Sequence, residues 1–187
     1  ACGLAQFLIG IKKNNPMLFE KAKLFGVEIN QDVINYLKVL NITDNIQIIK
    51  DDYLLWQPGL LFDLIIGNPP YGIPSLSSHY AIKIDPQTKE RYKMQFETWY
   101  GKYNVYGAFI EKSIKLLKPN GQLIFIVPAT FMILDEFKKL RTFLSQNGGT
   151  AIIYMGPDVF KPEADVSVVV LNFIKSEKFA HRVELME

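Results

Sequence analysis

The sequence predicts an α/β chain in which a mostly parallel sheet is covered by helices on both faces. Short apolar runs alternate with stretches whose apolar residues recur at helical spacing. The intervals between most runs are long enough for the crossover connections that parallel neighbours need. Polar residues close three of the runs, at Glu28, Asp52 and Asn68. In open sheets of this kind, ligands bind beyond the carboxyl ends of strands.

The first helix is expected over 4–13. A strand follows over 23–29, then an amphipathic helix over 32–40 with Val33, Ile34, Leu37 and Leu40 on one side. Residues 46–50 read as a short strand. Residues 60–67 are apolar apart from Asp63, as expected of a strand buried on both faces. The segment 72–103 reads as one long irregular stretch, with its first part expected to be mobile without substrate. A helix over 106–117 is stopped by Lys118-Pro119-Asn120-Gly121. A strand over 122–127 and a helix over 135–146, ended by Gly148 and Gly149, come next. Strands over 151–155 and 166–174 are close enough in sequence to pair antiparallel.

A chain of 187 residues suits one domain with a sizeable core. Its 49% hydrophobic and 21% charged content is ordinary globular usage, which excludes disorder as the starting point. Cys2 is the one cysteine, so an internal disulfide framework is excluded and a reducing cytoplasm fits. That cysteine and two histidines are too few for a protein-only metal site, and no metal is expected. No apolar stretch reaches membrane-spanning length, and no signal peptide is visible. A net charge of +2 is weak for a protein that binds nucleic acid on its own. Basic residues gather at Lys89, Arg91, Lys93 and Lys102, where phosphate contact is one reading. They gather again at Lys138, Lys139 and Arg141, where a solvated helix face is favoured.

The chemistry is expected at Asn68-Pro69-Pro70-Tyr71, directly after the apolar strand and Gly67. Each proline biases the residue before it away from helix, and two fixed φ angles make a stiff, extended platform. Neither proline has an N–H, so the local carbonyls lie where backbone donors are scarce. The Asn68 side-chain oxygen and the Pro69 carbonyl are then two acceptors for the two hydrogens of an amine such as adenine N6. Taking both favours a more tetrahedral nitrogen and stabilises the positive charge that grows on it during methyl transfer. Tyr71 offers an aromatic face to an extruded base. Such stacking contributes roughly 1–3 kcal/mol per base, against a flipping cost of a few kcal/mol. The bland alternative is that Pro-Pro only ends a strand and Tyr71 packs on the core; the strand-then-motif context favours the functional reading.

Residues for a nucleoside cofactor are read from the other strand ends. An acid after an apolar strand, as at Glu28, typically bonds ribose hydroxyls, and an exposed strand-end charge is the alternative. Asp52 is a candidate acceptor for the cofactor adenine amine with Tyr53 against its ring; a plain turn at Asp51-Asp52 is the alternative. Phe109 lies on the inward face of its helix and reads as core.

The strings Gly26-Val27-Glu28-Ile29, Asp52-Tyr53-Leu54-Leu55-Trp56 and Val127-Pro128-Ala129-Thr130, with the runs 67–73 and 103–112, resemble the TaqI-like family of adenine-N6 DNA methyltransferases of restriction–modification systems. The resemblance runs through nearly the whole chain. It implies a Rossmann-like fold of the S-adenosylmethionine-dependent methyltransferases. It also implies S-adenosyl-L-methionine as cofactor and transfer of its methyl group to N6 of a flipped adenine in a specific sequence of double-stranded DNA. Glu28 would hold the cofactor ribose. Ala1, Ile29, Asp52, Tyr53, Pro70 and Phe109 would complete the cofactor contacts. Asn68, Pro69, Pro70 and Tyr71 would act on the target base, and Phe160 would be its second aromatic contact.

Two departures from the family pattern stand out. An acidic residue and a proline that usually precede the match to Ala1 are missing along with the first strand, and Ala5 stands where glycine is usual. The family's C-terminal DNA-recognition domain is expected to lie outside residues 1–187. Residues 1–187 are therefore expected to be the catalytic domain of a longer prokaryotic, cytoplasmic and monomeric protein. A protein-glutamine or RNA N-methyltransferase, or a non-catalytic fragment, are the competing readings.

Overall fold

The computed structural model describes residues 2–39, 45–74, 82–161 and 166–177, and the backbone of 184–186. Contacts divide the chain into two compact units, Ala1–Gln57 and Pro58–Glu187.

In the first unit, α1 (Gln6–Asn14) and α2 (Pro16–Lys21) precede β1 (Leu24–Glu28), α3 (Gln31–Val39) and β2 (Ile46–Lys50). β1 and β2 pair in parallel from Leu24↔Ile46 to Glu28↔Lys50, so both strands end on the same side. The Asp51 amide extends this pairing by donating to the Glu28 carbonyl at 3.1 Å. α3 buries Ile34 and Leu37 of the expected apolar face; Leu40 lies outside the described residues. The sequence pattern misses α2, a six-residue helix capped by the Asn15 side chain, which accepts from the Leu18 amide, with Pro16 at its first position.

The second unit contains β3 (Phe62–Gly67), α4 (Pro86–Gln95), α5 (Val105–Leu116), β4 (Leu117–Pro128), α6 (Lys138–Asn147), β5 (Gly148–Gly156), β6 (Val168–Lys175) and β7 (Glu184–Met186). Short 3-10 turns at Ala129–Met132 and Asp135–Phe137 lead from β4 into α6. The strand order is β3-β4-β6-β5-β7. β3–β4 and β5–β7 are parallel, but β6 runs antiparallel to both β4 and β5. The sheet is thus mixed, where a mostly parallel one was expected. The chain between β5 and β6 is too short for the crossover of a dozen or more residues that a parallel neighbour requires, and the expected antiparallel pairing of these two strands is present.

Two further expectations need correction. The strand after Leu60 starts at Phe62 and is not buried on both faces: Asp63 and Leu64 are exposed. β3 has β4 on one side only, as the end strand of its sheet. The segment 72–103 is not irregular throughout, because it holds α4. Asp85 caps that helix, its side chain accepting from the Thr88 amide at 2.9 Å, and Pro86 takes the first position. α4 has little apolar periodicity and buries Tyr92 alone, so the helical pattern was faint. The expected mobility falls mainly on residues 75–81, outside the described ones.

The core gathers on β4, β6 and α5. β4 alternates in burial through Leu123, Phe125 and Val127 and meets Val169, Leu171 and Phe173 of β6, all buried. Each such side chain contributes about 1.5–3 kcal/mol by leaving water. α5 is buried along nearly its whole length, with its amino end capped by Asn104. Glu111 of α5 is fully buried, and its carboxylate accepts from the Glu97 and Thr98 amides at 3.1 and 2.9 Å and from Lys115. This one carboxylate ties the turn after α4 to α5. Among the described residues no helix is long and apolar enough to cross a membrane.

Replacing Glu111 by Ala strips the Glu97 and Thr98 amides of their acceptor, while Lys115 keeps Glu97 at 3.2 Å, and each unsatisfied buried group costs about 1–3 kcal/mol. Equilibrium urea unfolding of Glu111→Ala is expected to show a loss of about 3 kcal/mol. A loss under about 1 kcal/mol would mean water or another group replaces the carboxylate.

Candidate active site

Gly67↔Phe125 is the last β3–β4 pair. Beyond it Pro69 and Pro70 have no N–H, so the ladder cannot continue. The donor that reaches the next carbonyl of β4 is a side chain: the Tyr71 hydroxyl lies 3.0 Å from the Ile126 carbonyl oxygen. The same hydroxyl meets the Asn68 side-chain oxygen. Pro69 is buried, while Asn68 and Pro70 are exposed. The expected platform is therefore a segment without regular structure, anchored on the neighbouring strand, with Asn68 exposed at its surface. Burial pushes the Tyr71 hydroxyl well above the ordinary phenol range, so it is a neutral donor at any physiological pH.

The segment is held from its far side as well. The Gly72 amide donates to Asn104 Oδ1 at 2.8 Å, and the Val105 amide donates to the Gly72 carbonyl at 2.9 Å. Asn104 also caps α5 through the Tyr106 amide. Lys89 Nζ donates to the Pro74 carbonyl at 3.0 Å.

Tyr71 sits in a row of aromatic rings. Its edge meets Tyr106 at 6.1 Å and Phe160 at 6.4 Å between centroids. The row continues through Phe137, Tyr103 and Trp99 to Tyr92. Trp99 is thus packed against Tyr92 and Tyr103, inside this row. The structure does bring together the two aromatics expected to hold a base. Their planes are 64° apart, however, so they touch edge to face. A ring stacked face to face on both would need their two planes near parallel.

The other candidates stand at the carboxyl ends of β1 and β2. Glu28 is 6% exposed. Its Oε1 accepts from the Ile29 and Asn30 amides at 2.9 and 3.0 Å, and its Oε2 accepts from Gly3 at 2.9 Å. Burial opposes ionisation here, but the hydrogen bonds from Asn30 and Gly3 outweigh it and hold the carboxyl below its ordinary range. The loop bearing Gly3 lies against β1, where the Cys2 amide donates to the Val27 carbonyl at 2.8 Å. A Cβ on Gly26 would come within 3.1 Å of Cys2 Sγ and 2.9 Å of Ile48 Cδ1, so glycine permits this approach. Gly3 and Ala5 both have positive φ, 52° and 55°, the latter in the position where glycine was expected.

Ile29 is 63% exposed beside Glu28. Asp52 forms the turn that was its alternative reading: Oδ1 accepts from the Leu54 amide at 2.9 Å, and its carbonyl accepts from Leu55 and Trp56. Tyr53 lies 6.3 Å from the Trp56 ring. Phe109 is buried in α5, as the core reading has it. Ala1 lies outside the described residues.

The basic clusters are largely engaged within the chain. Besides Lys89, Lys93 pairs with Glu90, Arg141 donates to the Phe131 and Leu134 carbonyls, and Lys139 lies over the Tyr100 ring. Sequence reasoning missed Asn104, Tyr106 and the Ile126 carbonyl. Only Asn104 carried a signal, as a capping residue before a helix. Among the described residues no cluster of His, Cys, Asp and Glu could hold a metal ion.

The α/β arrangement is that of the class I S-adenosylmethionine-dependent methyltransferases. A solved structure from Listeria monocytogenes assigned to that class superposes with a TM-score of 0.77 at 24% identity, over 99% of this chain and 55% of the other. A family model described as Eco57I restriction-modification methylase matches residues 5–160, and the chain belongs to that family. The type II methyltransferase M.TthHB8I of Thermus thermophilus is 54% identical over 127 residues, 68% of this chain and 29% of that protein. The type II restriction enzyme and methyltransferase RM.Eco57I of Escherichia coli is 40% identical over 86 residues, 46% of this chain and 8% of that one. The chain thus spans less than a third of either curated relative.

Because its folded carboxyl titrates below the ordinary range, Glu28 adds stability above about pH 4.3, the unfolded value. That contribution disappears as pH falls through the lower folded value. Unfolding midpoints measured from pH 6 to pH 3 are expected to fall more steeply for the native chain than for Glu28→Gln. Parallel curves would mean that the Gly3, Ile29 and Asn30 amides do not select the ionised form.

Proposed function

We propose that this chain is the catalytic part of a DNA methyltransferase that transfers the methyl group of S-adenosyl-L-methionine to N6 of an adenine flipped out of duplex DNA. The observation that carries the reading is the strand-end segment Asn68–Tyr71. It presents an exposed amide beside two prolines that supply no donor, and its Tyr71 ring touches Phe160. Family membership and the identity with a type II methyltransferase support the same chemistry.

S-adenosyl-L-methionine, when bound, supplies a methyl group on a positively charged sulfur. The first unit suits its nucleoside end: Glu28 is an ionised acceptor for ribose hydroxyls, and Ile29 is an exposed apolar neighbour. A carboxylate has about four acceptor directions, so the ribose would share Glu28 with the Gly3, Ile29 and Asn30 amides. Asp52, with Tyr53, takes the cofactor's adenine amine. Phe109 and Pro70 are assigned to cofactor packing. In the second unit, Asn68 Oδ1 and the Pro69 carbonyl each take one N6 hydrogen of the target adenine. Methyl transfer would leave positive charge on N6, which these two acceptors would stabilise, and one N6 proton would be lost to solvent. Tyr71 and Phe160 hold the base by its faces, which requires Phe160 to turn from its edge-on contact. A prokaryotic cytoplasm is the matching compartment, and no metal takes part.

Incubating the intact protein with unmethylated bacteriophage DNA and tritiated S-adenosyl-L-methionine tests this. Label is expected in N6-methyladenine after DNA hydrolysis, and Asn68→Ala is expected to lower the rate at least about 100-fold, the effect of losing one preorganised transition-state contact. Label on cytosine, or transfer only to RNA or protein offered in parallel, would refute the reading. So would an unimpaired Asn68→Ala variant.

A further inference from the structure

The Tyr71 hydroxyl stands between two groups, Asn68 Oδ1 and the Ile126 carbonyl, yet it has one proton to give. The Ile126 carbonyl can only accept. The Asn68 amide can do either, because its two ends have the same shape and opposite polarity. Two arrangements of the trio follow. In one, Tyr71 donates to Asn68 Oδ1, and the amide turns its NH2 outward. In the other, Tyr71 donates to Ile126 and accepts from Asn68 Nδ2, and the amide turns its oxygen outward. Only the second offers an acceptor to an amine. The first presents donors to a group that itself has two hydrogens to give.

We infer that the Tyr71 hydroxyl is a positioning group: by donating to the Ile126 carbonyl and accepting from Asn68 Nδ2, it sets the Asn68 amide with Oδ1 toward the substrate amine. This rests on the role proposed above for Asn68. The arrangement in the structure, with Oδ1 toward Tyr71, is the inverted one, reached from the reactive one by turning the amide over. The strand geometry gives the preference. Past Gly67↔Phe125, β4 meets two prolines that cannot donate, and Tyr71 is the side chain that reaches Ile126 at 3.0 Å. Burial keeps that hydroxyl protonated, so it always has a proton to place there. Tyr71 thus has a role separate from stacking, and Tyr71→Phe removes it while keeping the ring.

A double-substitution cycle in the intact protein tests this, with single-turnover methyl transfer to unmethylated bacteriophage DNA as the readout. Tyr71→Phe is expected to slow transfer about tenfold, the scale of a misaligned reacting group, with KM for DNA and cofactor within about twofold. In an Asn68→Asp background both side-chain oxygens are acceptors, so polarity no longer depends on Tyr71. The further loss from Tyr71→Phe is then expected to be under about twofold. Equal losses in the two backgrounds, or none in the native one, overturn the inference while leaving the role of Asn68 intact. An Asn68→Ala variant at native rate would instead overturn that role. Should Asn68→Asp be inactive, the Asn68 side-chain amide resonances decide. Tyr71→Phe keeps the ring current, so an upfield move of one Nδ2 proton relative to its geminal partner reports a lost Nδ2–H donation to the hydroxyl, and both protons moving together, or neither, refute it.

Discussion

Two consecutive prolines after Gly67 end the β3–β4 ladder at a fixed residue, and the architecture of the site follows from that interruption. A strand that simply frayed would leave its last residues free to pair or slip. Here the last pair is Gly67↔Phe125, and beyond Asn68 neither proline has a proton to share. The chain must leave the sheet, yet β4 continues to Pro128 beside it. Tyr71 closes the gap by sending its hydroxyl to Ile126. One contact therefore fixes where the segment sits, how the Tyr71 ring is presented, and which group the Asn68 amide meets.

That segment is stiff because the elements behind it are braced independently. Asn104 joins Gly72 to the start of α5. α5 is locked to the turn after α4 by Glu111, and an unbroken row of rings runs from Tyr71 to Tyr92. A buried carboxylate satisfied by two amides and a lysine is costly to disturb, since each partner left unpaired costs about 1–3 kcal/mol. Net folding stability is commonly only about 5–15 kcal/mol. The bracing is therefore a large share of what keeps the site in shape.

The legible parts of the sequence were those where apolar pattern and backbone geometry agreed. β2 spans the residues read from the sequence, and β1 and α3 lie within a residue of them. The two helices that escaped notice, α2 and α4, begin alike: an Asx side chain caps the turn and proline follows at once, Asn15-Pro16 and Asp85-Pro86. That start signal was present, but neither helix has an apolar face long enough to support it. α2 buries Phe19 alone and α4 Tyr92 alone. β3 failed in the opposite sense. Its apolar run read as a doubly covered strand, whereas coverage depends on neighbours that no local pattern encodes. In the site, Asn68 to Tyr71 was visible as a motif. The Ile126 carbonyl was not, because any residue has one and only the fold decides which is offered.

On the proposed reading, the polar groups of both units share a property. Glu28, Asp52, Asn68 and the Pro69 carbonyl are all acceptors, suited to ribose hydroxyls and adenine amines. The two carboxylates can present nothing else, and each also accepts from backbone amides: Gly3, Ile29 and Asn30 at Glu28, Leu54 at Asp52. A backbone carbonyl is equally unambiguous. Asn68 is the exception, a neutral group whose polarity reverses with a half-turn of its side chain. Neutrality has an evident use, since a carboxylate so close to a nitrogen that is becoming positive would hold the product as firmly as the transition state. An amide avoids that charge but needs a second group to tell it which way to face. Tyr71 has the right atom for this, a hydroxyl whose one proton, in the inferred arrangement, goes to the strand behind it.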